Sequence, residues 1–232
     1  MFDLRSIVIG IVLMLRKYTC VNITIYQETN EEDYINGIGA LPLIGLALGF
    51  FSFIIASLRY LFEGFFISSV VLLYYCLITK AVNIKDVYGT FNYYFNKEYC
   101  KDTWEVIILV IICLMYYSLF RIVPITSLIL MPSVGFSCMI ILSQIIKGDL
   151  SNTSVLKYCK KHHVIIAFSL SFIFAAILNY KLIISLSLTY MAAGIIVSRI
   201  DNKIKDYPVS IEGCIIELSQ ILFLIITYLF KF

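Results

Sequence analysis

The chain has 232 residues, 61 % of them hydrophobic, and a formal net charge of only +3. Its mean hydropathy of +0.93 lies far from soluble domains, whose apolar usage is roughly 45–50 %. An ordinary soluble domain is thereby excluded, and the composition points to an all-α polytopic membrane bundle in which lipid is the first partner.

In chain order, the first apolar run, Ile7–Leu15, has nine residues and is followed by Arg16, Lys17 and Tyr18. It is too short to span, and it lacks the small residues of a cleavage site, so an interfacial or re-entrant helix is expected. Gly37–Leu58 is uncharged and meets the requirement of roughly 20 apolar residues for one crossing. Pro42 and Gly45 lie in its first half and Gly49 just past its middle, and Gly45–Gly49 has the small-xxx-small spacing that lets helices approach closely. These three are structural candidates, serving packing within the chain or a homo-oligomer.

Further apolar segments follow at Gly64–Thr79, Val106–Phe120, Ile122–Ile146, Val164–Leu178, Leu182–Ser198 and Gly213–Phe230. That predicts about seven spans, with a hairpin at Arg121 and with Pro124 and Pro132 shaping its second arm. No repeat or long linker divides the chain. A single domain is expected, with residues 1–36 as an N-terminal cytoplasmic or interfacial segment and residues 37–230 as the transmembrane bundle.

Charge gives an independent check, because cytoplasmic loops carry an excess of Lys and Arg. In this topology 14 of the 18 basic residues fall on one side, leaving only Arg59, Arg121, Lys181 and Lys231 on the other. The long loops are therefore expected to be cytoplasmic and the protein multi-pass in a plasma (inner) membrane. Of the 15 acidic residues, 13 lie in those same loops, so no nucleic-acid partner is expected and the basic excess reads as topology plus lipid headgroups. Seven scattered cysteines without a C-x-x-C pair fit free thiols.

Glu217 is the only acid within an apolar segment, and an acid there is a functional hypothesis by default. It lies about one turn inside its span, where it could also snorkel or pair with Lys203 or Lys205. The loop Lys80–Glu105 interleaves Asp86, Glu98, Asp102 and Glu105 with lysines. Asp86 is its best-placed magnesium candidate, since magnesium bound with phosphate needs only one or two carboxylates. The competing reading is a solvated face. The aromatics Tyr88, Phe91, Tyr93, Tyr94, Phe95 and Tyr99 would stack a ring system or seat the loop at the interface. His162 and His163 make a poor metal site. The P-loop, dinucleotide, nucleophile-elbow and H-E-x-x-H patterns are absent.

The order of features nevertheless resembles a known family. The stretch from Ile35 to Gly49, I-N-G-I-G-A-L-P-L-I-G-L-A-L-G, is similar to the F-P-L-V-G-L-x-x-G opening span of bacterial cobalamin synthase, the adenosylcobinamide-GDP ribazoletransferase. The stretch from Glu212 to Ser219, E-G-C-I-I-E-L-S, resembles the L-G-A-x-I-E-L-x-E start of that family's last span. Leu13–Val21 sits where the family has F-x-T-R-x-P, with Arg16 near the arginine, and Leu128–Met139 is similar to a middle span. The family's H-x-D-G-x-x-D-x-x-D-G motif falls on the run from Asn83 to Tyr93, where Lys85, Gly89 and Asn92 hold the three aspartate positions and Asn83 the histidine position.

The resemblance implies a membrane transferase of cobalamin biosynthesis. It would join adenosylcobinamide-GDP to α-ribazole or its phosphate, release GMP and use magnesium. Its partners would be corrinoid and nucleotide-loop small molecules, and its setting a bacterial inner membrane. Mapped onto this chain, it implies Glu217 and Asp86 as catalytic, Asp86 and Asp206 as metal ligands, and Arg16, Asn83 and Asn92 as substrate-binding. The missing aspartates keep two alternatives open: a catalytically inactive homologue that binds corrinoid or acts as a membrane scaffold, and a small permease component.

Overall fold

A computed structural model describes residues 4–26, 28–95, 101–151, 154–204 and 206–230. Among them eleven helices follow one another: α1 (Leu4–Tyr18), α2 (Glu31–Ile38), α3 (Leu41–Ser57), α4 (Gly64–Ile78), α5 (Val82–Phe95), α6 (Lys101–Ile122), α7 (Ile125–Leu142), α8 (Val155–Tyr158), α9 (Lys161–Leu178), α10 (Leu182–Asp201) and α11 (Ile211–Leu229). No strand occurs among the described residues; Asp149 and Asp206 form an isolated bridge. The all-α expectation holds. Six helices are long and apolar enough to cross a membrane, and the bent pair α4 and α5 raises the number to seven.

Burial decides the layering. α7 is 89 % and α11 72 % buried within the protein, whereas α6 and α9 are each 22 % buried, so α7 and α11 form the centre and α6 and α9 face outward. α3 lies against α7 because Gly45 and Gly49 leave room for its backbone: a methyl on Gly45 would stand 2.6 Å from Ser133 Cα, and one on Gly49 would overlap the Ile129 carbonyl oxygen. The small-xxx-small face is thus filled from within the same chain, with dispersion contacts at close backbone range as the gain.

Three boundaries differ from the sequence expectation. The opening span starts at Leu41, with Pro42 in its first turn, a position that proline favours. Gly37 instead belongs to α2, where its backbone meets that of Gly10 in α1. The chain expected as a loop from Lys80 to Glu105 is helix over Val82–Phe95. Lys80 and Ala81 adopt φ of 53° and 50° and turn it 78° from α4. Asn83, Ile84, Val87 and Thr90 are buried at helical spacing, an inward face only half apolar and masked by the polar residues around it. The hairpin near Arg121 forms one step later, between Ile122 and Ile125.

Contacts sort the ends as the charge pattern implies. At the lysine-rich end, the Cys20 amide donates to the Ile78 carbonyl at 2.6 Å, Tyr34 stacks edge-on against Tyr158, and the Lys147 amide donates to Asp201. Tyr94 on α5 also donates to the Asp206 carbonyl at 3.2 Å, joining α5 to the segment between α10 and α11. At the opposite end Arg59 donates to the Val123 carbonyl, and the Arg121 guanidinium lies 3.5 Å from the centroid of Phe65.

Candidate functional site

Polar side chains concentrate where α1, α5 and α11 meet at the lysine-rich end and continue down the inner face of α11. Gly213, Glu217 and Gln220 are spaced i, i+4, i+7 and share one helical face. Gly213 admits α5: a side chain there would lie 2.9 Å from Asn83 Cα and overlap Asp86. Close approach therefore requires glycine at this position.

Glu212 is 4 % exposed, and its charge is fully engaged. Lys17 Nζ pairs with it at 2.8 Å, Tyr18 Oη donates at 3.0 Å, Ser154 Oγ donates at 2.7 Å, and the Val155 amide donates as well. Lys17 also donates to Tyr34 at 3.0 Å. Burial lowers the Lys17 pKa, but the Glu212 carboxylate and Tyr34 outweigh it and the net shift is upward. Asp86 is half-buried beside this group. Burial first, and the Glu212 carboxylate second, push its carboxyl up to about 6 against the pull of Lys17 and Lys85. About one turn further along α5, Thr90 and Ser210 hydrogen-bond at 2.9 Å.

Deeper in the bundle, Glu217 is 0 % exposed. It neither snorkels nor meets a lysine; Tyr75 Oη of α4 donates to it at 2.7 Å and Tyr116 Oη of α6 donates to its other oxygen. Gln220 approaches both hydroxyls, at 2.8 Å and 3.2 Å. Asn83, 2 % exposed, adds a side-chain hydrogen bond to Glu217 from α5. Four helices thus converge on one carboxylate.

The structure brings Asp86, Asn83 and Glu217 together around Gly213. Arg16 is exposed, and its neighbour Lys17 takes the inward place. Asn92 is half-buried, on the opposite side of α5 from Asn83 by helical geometry. Asp206 sits beside Tyr94, roughly two turns along α5 from Asp86. Pro42, Gly45 and Gly49 act in packing as described. The His163 ring accepts from the Lys160 amide and lies 4.0 Å from that of His162, a local capping arrangement. The six described cysteines are free thiols; Cys100 lies outside the described residues, as do Glu98 and Tyr99.

Among the described residues no three His, Cys, Asp or Glu side chains converge as a metal cage would require, and the oxygens of Glu212 and Glu217 are occupied by donors. Asp86 is a half-buried carboxylate that feels Glu212 as well as Lys17 and Lys85. This donor set fits a magnesium ion held mainly by phosphate oxygens and water with one protein carboxylate, and does not fit a preformed acidic cage. Lys17, Tyr18, Tyr75, Tyr116, Ser154 and Gln220 escaped the sequence reading. Tyr75 and Tyr116 each stand in a Tyr-Tyr pair that looks like an interfacial belt, and nothing local connects either to Glu217. The i, i+3 spacing of Glu217 and Gln220 was the one available signal.

Neither a protein-family model nor a solved structure matches the chain. Two curated relatives do, over almost their whole length. The adenosylcobinamide-GDP ribazoletransferase of Alkaliphilus oremlandii is 25 % identical over 243 residues, covering 96 % of this chain and 98 % of the relative. Its namesake in Acetivibrio thermocellus is 24 % identical over 245 residues, covering 95 % and 98 %. Along almost its whole length the chain is thus similar to two adenosylcobinamide-GDP ribazoletransferases, in agreement with the first and last span motifs.

Proposed function

We propose that the protein joins adenosylcobinamide-GDP to α-ribazole or its phosphate, releasing GMP, at the lysine-rich end where α1, α5 and α11 meet. The observation that carries this reading is the similarity, across 96 % of the chain, to a protein named for that reaction. The clustering of Asp86, Asn83, Lys17 and Glu212 at that end supports the location. A free ribose hydroxyl of the ribazole would attack the phosphorus attached to cobinamide; the new P–O bond forms as the bond between that phosphorus and the GMP phosphate breaks, and the hydroxyl proton passes to solvent.

The chain's own contribution is positional and electrostatic, as is usual in phosphoryl transfer. Lys17, held by Glu212, places one positive charge at the mouth of the site. Asp86 supplies the carboxylate that would hold magnesium. A bound magnesium ion neutralises charge on the phosphate oxygens. Asp206, beside Tyr94, would serve the outer edge of the same face. The 14 basic residues on this side support a cytoplasmic placement.

The test is magnesium-dependent GMP release by purified protein in lipid. Activity above a vector control is expected, lowered by about 10²-fold or more in Asp86→Asn, the scale of one lost transition-state contact. A folded, monodisperse sample that releases no GMP overturns the proposal.

A further inference from the structure

The buried cluster around Glu217 holds a proton-counting puzzle whose solution has two states. Four side-chain contacts join the two hydroxyls to Glu217 and Gln220: Tyr75 to Glu217 at 2.7 Å and to Gln220 at 2.8 Å, and Tyr116 to Glu217 and to Gln220 at 3.2 Å; Tyr116 Oη also lies 3.4 Å from the Glu217 carbonyl. Each contact needs one hydrogen, and each hydroxyl supplies one. With the Gln220 amide oxygen facing the hydroxyls, an ionised Glu217 leaves two hydrogens for four contacts, and a protonated Glu217 provides three. With the amide reversed, its two N–H groups join the two hydroxyl hydrogens, so an ionised Glu217 completes all four contacts while a protonated one has a hydrogen too many. The reversed amide therefore favours ionised Glu217, and the oxygen-facing amide favours protonated Glu217, which leaves one contact fewer unmade than the ionised form.

The surroundings permit both states. Gln220 lies against Gly135 of α7, where a methyl would stand 2.6 Å from its amide nitrogen, so the missing side chain provides the space the amide occupies. The titratable groups facing the carboxylate are Tyr75 and Cys76 on α4, Asp86 on α5, Tyr116 and Cys113 on α6, and Cys214 on α11. α7 carries no charged residue. No lysine or arginine stands among these groups to hold Glu217 permanently ionised, while three side-chain donors, Tyr75, Tyr116 and Asn83, keep the ionised form accessible. An unpaired buried charge is costly, and a well-satisfied one is tolerated.

We propose that Glu217, Tyr75, Tyr116 and Gln220 form a proton-binding site inside the bundle, in which rotation of the Gln220 amide accompanies gain or loss of one proton on Glu217. Because the cluster ties α4, α6 and α11 together and meets α5 through Asn83, its charge state reaches the helix that bears Asp86.

The experiment is infrared spectroscopy of the full-length protein in lipid across a pH series, with glutamate carboxyls carbon-13 labelled. A protonated-carboxyl stretching band that appears in acid, disappears on alkalinisation, shifts with the label and is absent from Glu217→Gln supports the site. Labelling identifies a glutamate even if Glu217→Gln does not fold. Replacing both hydroxyls, Tyr75→Phe with Tyr116→Phe, removes donors to the carboxylate and is expected to raise the midpoint by about one pH unit, a tenfold change in proton affinity. Gly135→Ala crowds the amide and is expected to abolish reversible titration. A glutamate band present or absent at every pH, or a midpoint unmoved by the paired Tyr→Phe change, overturns the proposal. None of these readouts depends on GMP release.

Discussion

Removing the positive end of the ion pair between Lys17 and Glu212 exposes how the site is held. Lys17→Met keeps the length and apolar stem of the side chain but leaves the Glu212 charge, 4 % exposed, without its cation. Three neutral donors, Tyr18, Ser154 and the Val155 amide, remain. Breaking a buried pair from one side costs roughly 3–5 kcal/mol. The Lys17 side chain is 29 % exposed, so solvent screening and the remaining donors place the expected loss at the low end, about 3 kcal/mol.

The assay is thermal unfolding in detergent followed by size exclusion, with a double-mutant cycle. Lys17→Met is expected to melt several degrees below wild type, and Lys17→Met with Glu212→Gln to recover most of the loss, because no charge is then left buried. The pH dependence has a definite sign. A cation whose folded pKa is raised contributes stability fully present below its unfolded value, 10.5 for Lys17, and lost as pH rises through the folded value. Stability should therefore fall in alkali beyond that point in wild type but not in Lys17→Met. A single variant as stable as wild type, or a double variant no better than the single, would refute the claim that Lys17 neutralises Glu212.

Other expectations follow from the same geometry. Gly49→Ala would drive a methyl into the Ile129 carbonyl of α7 and is expected to cost about 1–3 kcal/mol, whereas Gly64→Ala, with nothing within 4 Å, should leave the melting temperature unchanged. The Asp86 carboxyl is raised to about 6 from an ordinary 3.8, so its contribution to stability is present in acid and lost as pH rises through about 6; pH-dependent melting should show that slope in wild type and lose it in Asp86→Asn. Gly213→Ala overlaps Asp86 and is expected to lower GMP release even where the protein still folds, measured as turnover per folded molecule. Cys20 is exposed at the lysine-rich end. In a variant retaining only that thiol, a membrane-impermeant maleimide should label inverted vesicles and spare intact spheroplasts; the reverse would invert the topology.

The bundle and its span order were legible in the sequence because a bilayer imposes a length. About 20 uncharged residues leave a signal that needs no partner to be read, and the lysine asymmetry orders the ends independently of hydropathy. Gly45 and Gly49 announced a close packing face, although only the fold shows that α7 fills it. Glu217 stood out as a costly acid in an apolar run. Its solution was invisible, since Tyr75 lies 142 residues before it and Tyr116 101 residues before it, and each looked like an interfacial aromatic. α5 was hidden because its apolar stripe is narrow and its average composition polar, so helix formation there depends on the face that α11 offers at Gly213. Sequence order placed Arg16 near the site; the helical rotation of α1, set by packing, turned Arg16 outward and Lys17 inward. Hydropathy and charge are sums along the chain and survive without tertiary structure, whereas the direction of one side chain, and the partner it meets, exists only once helices distant in sequence have packed.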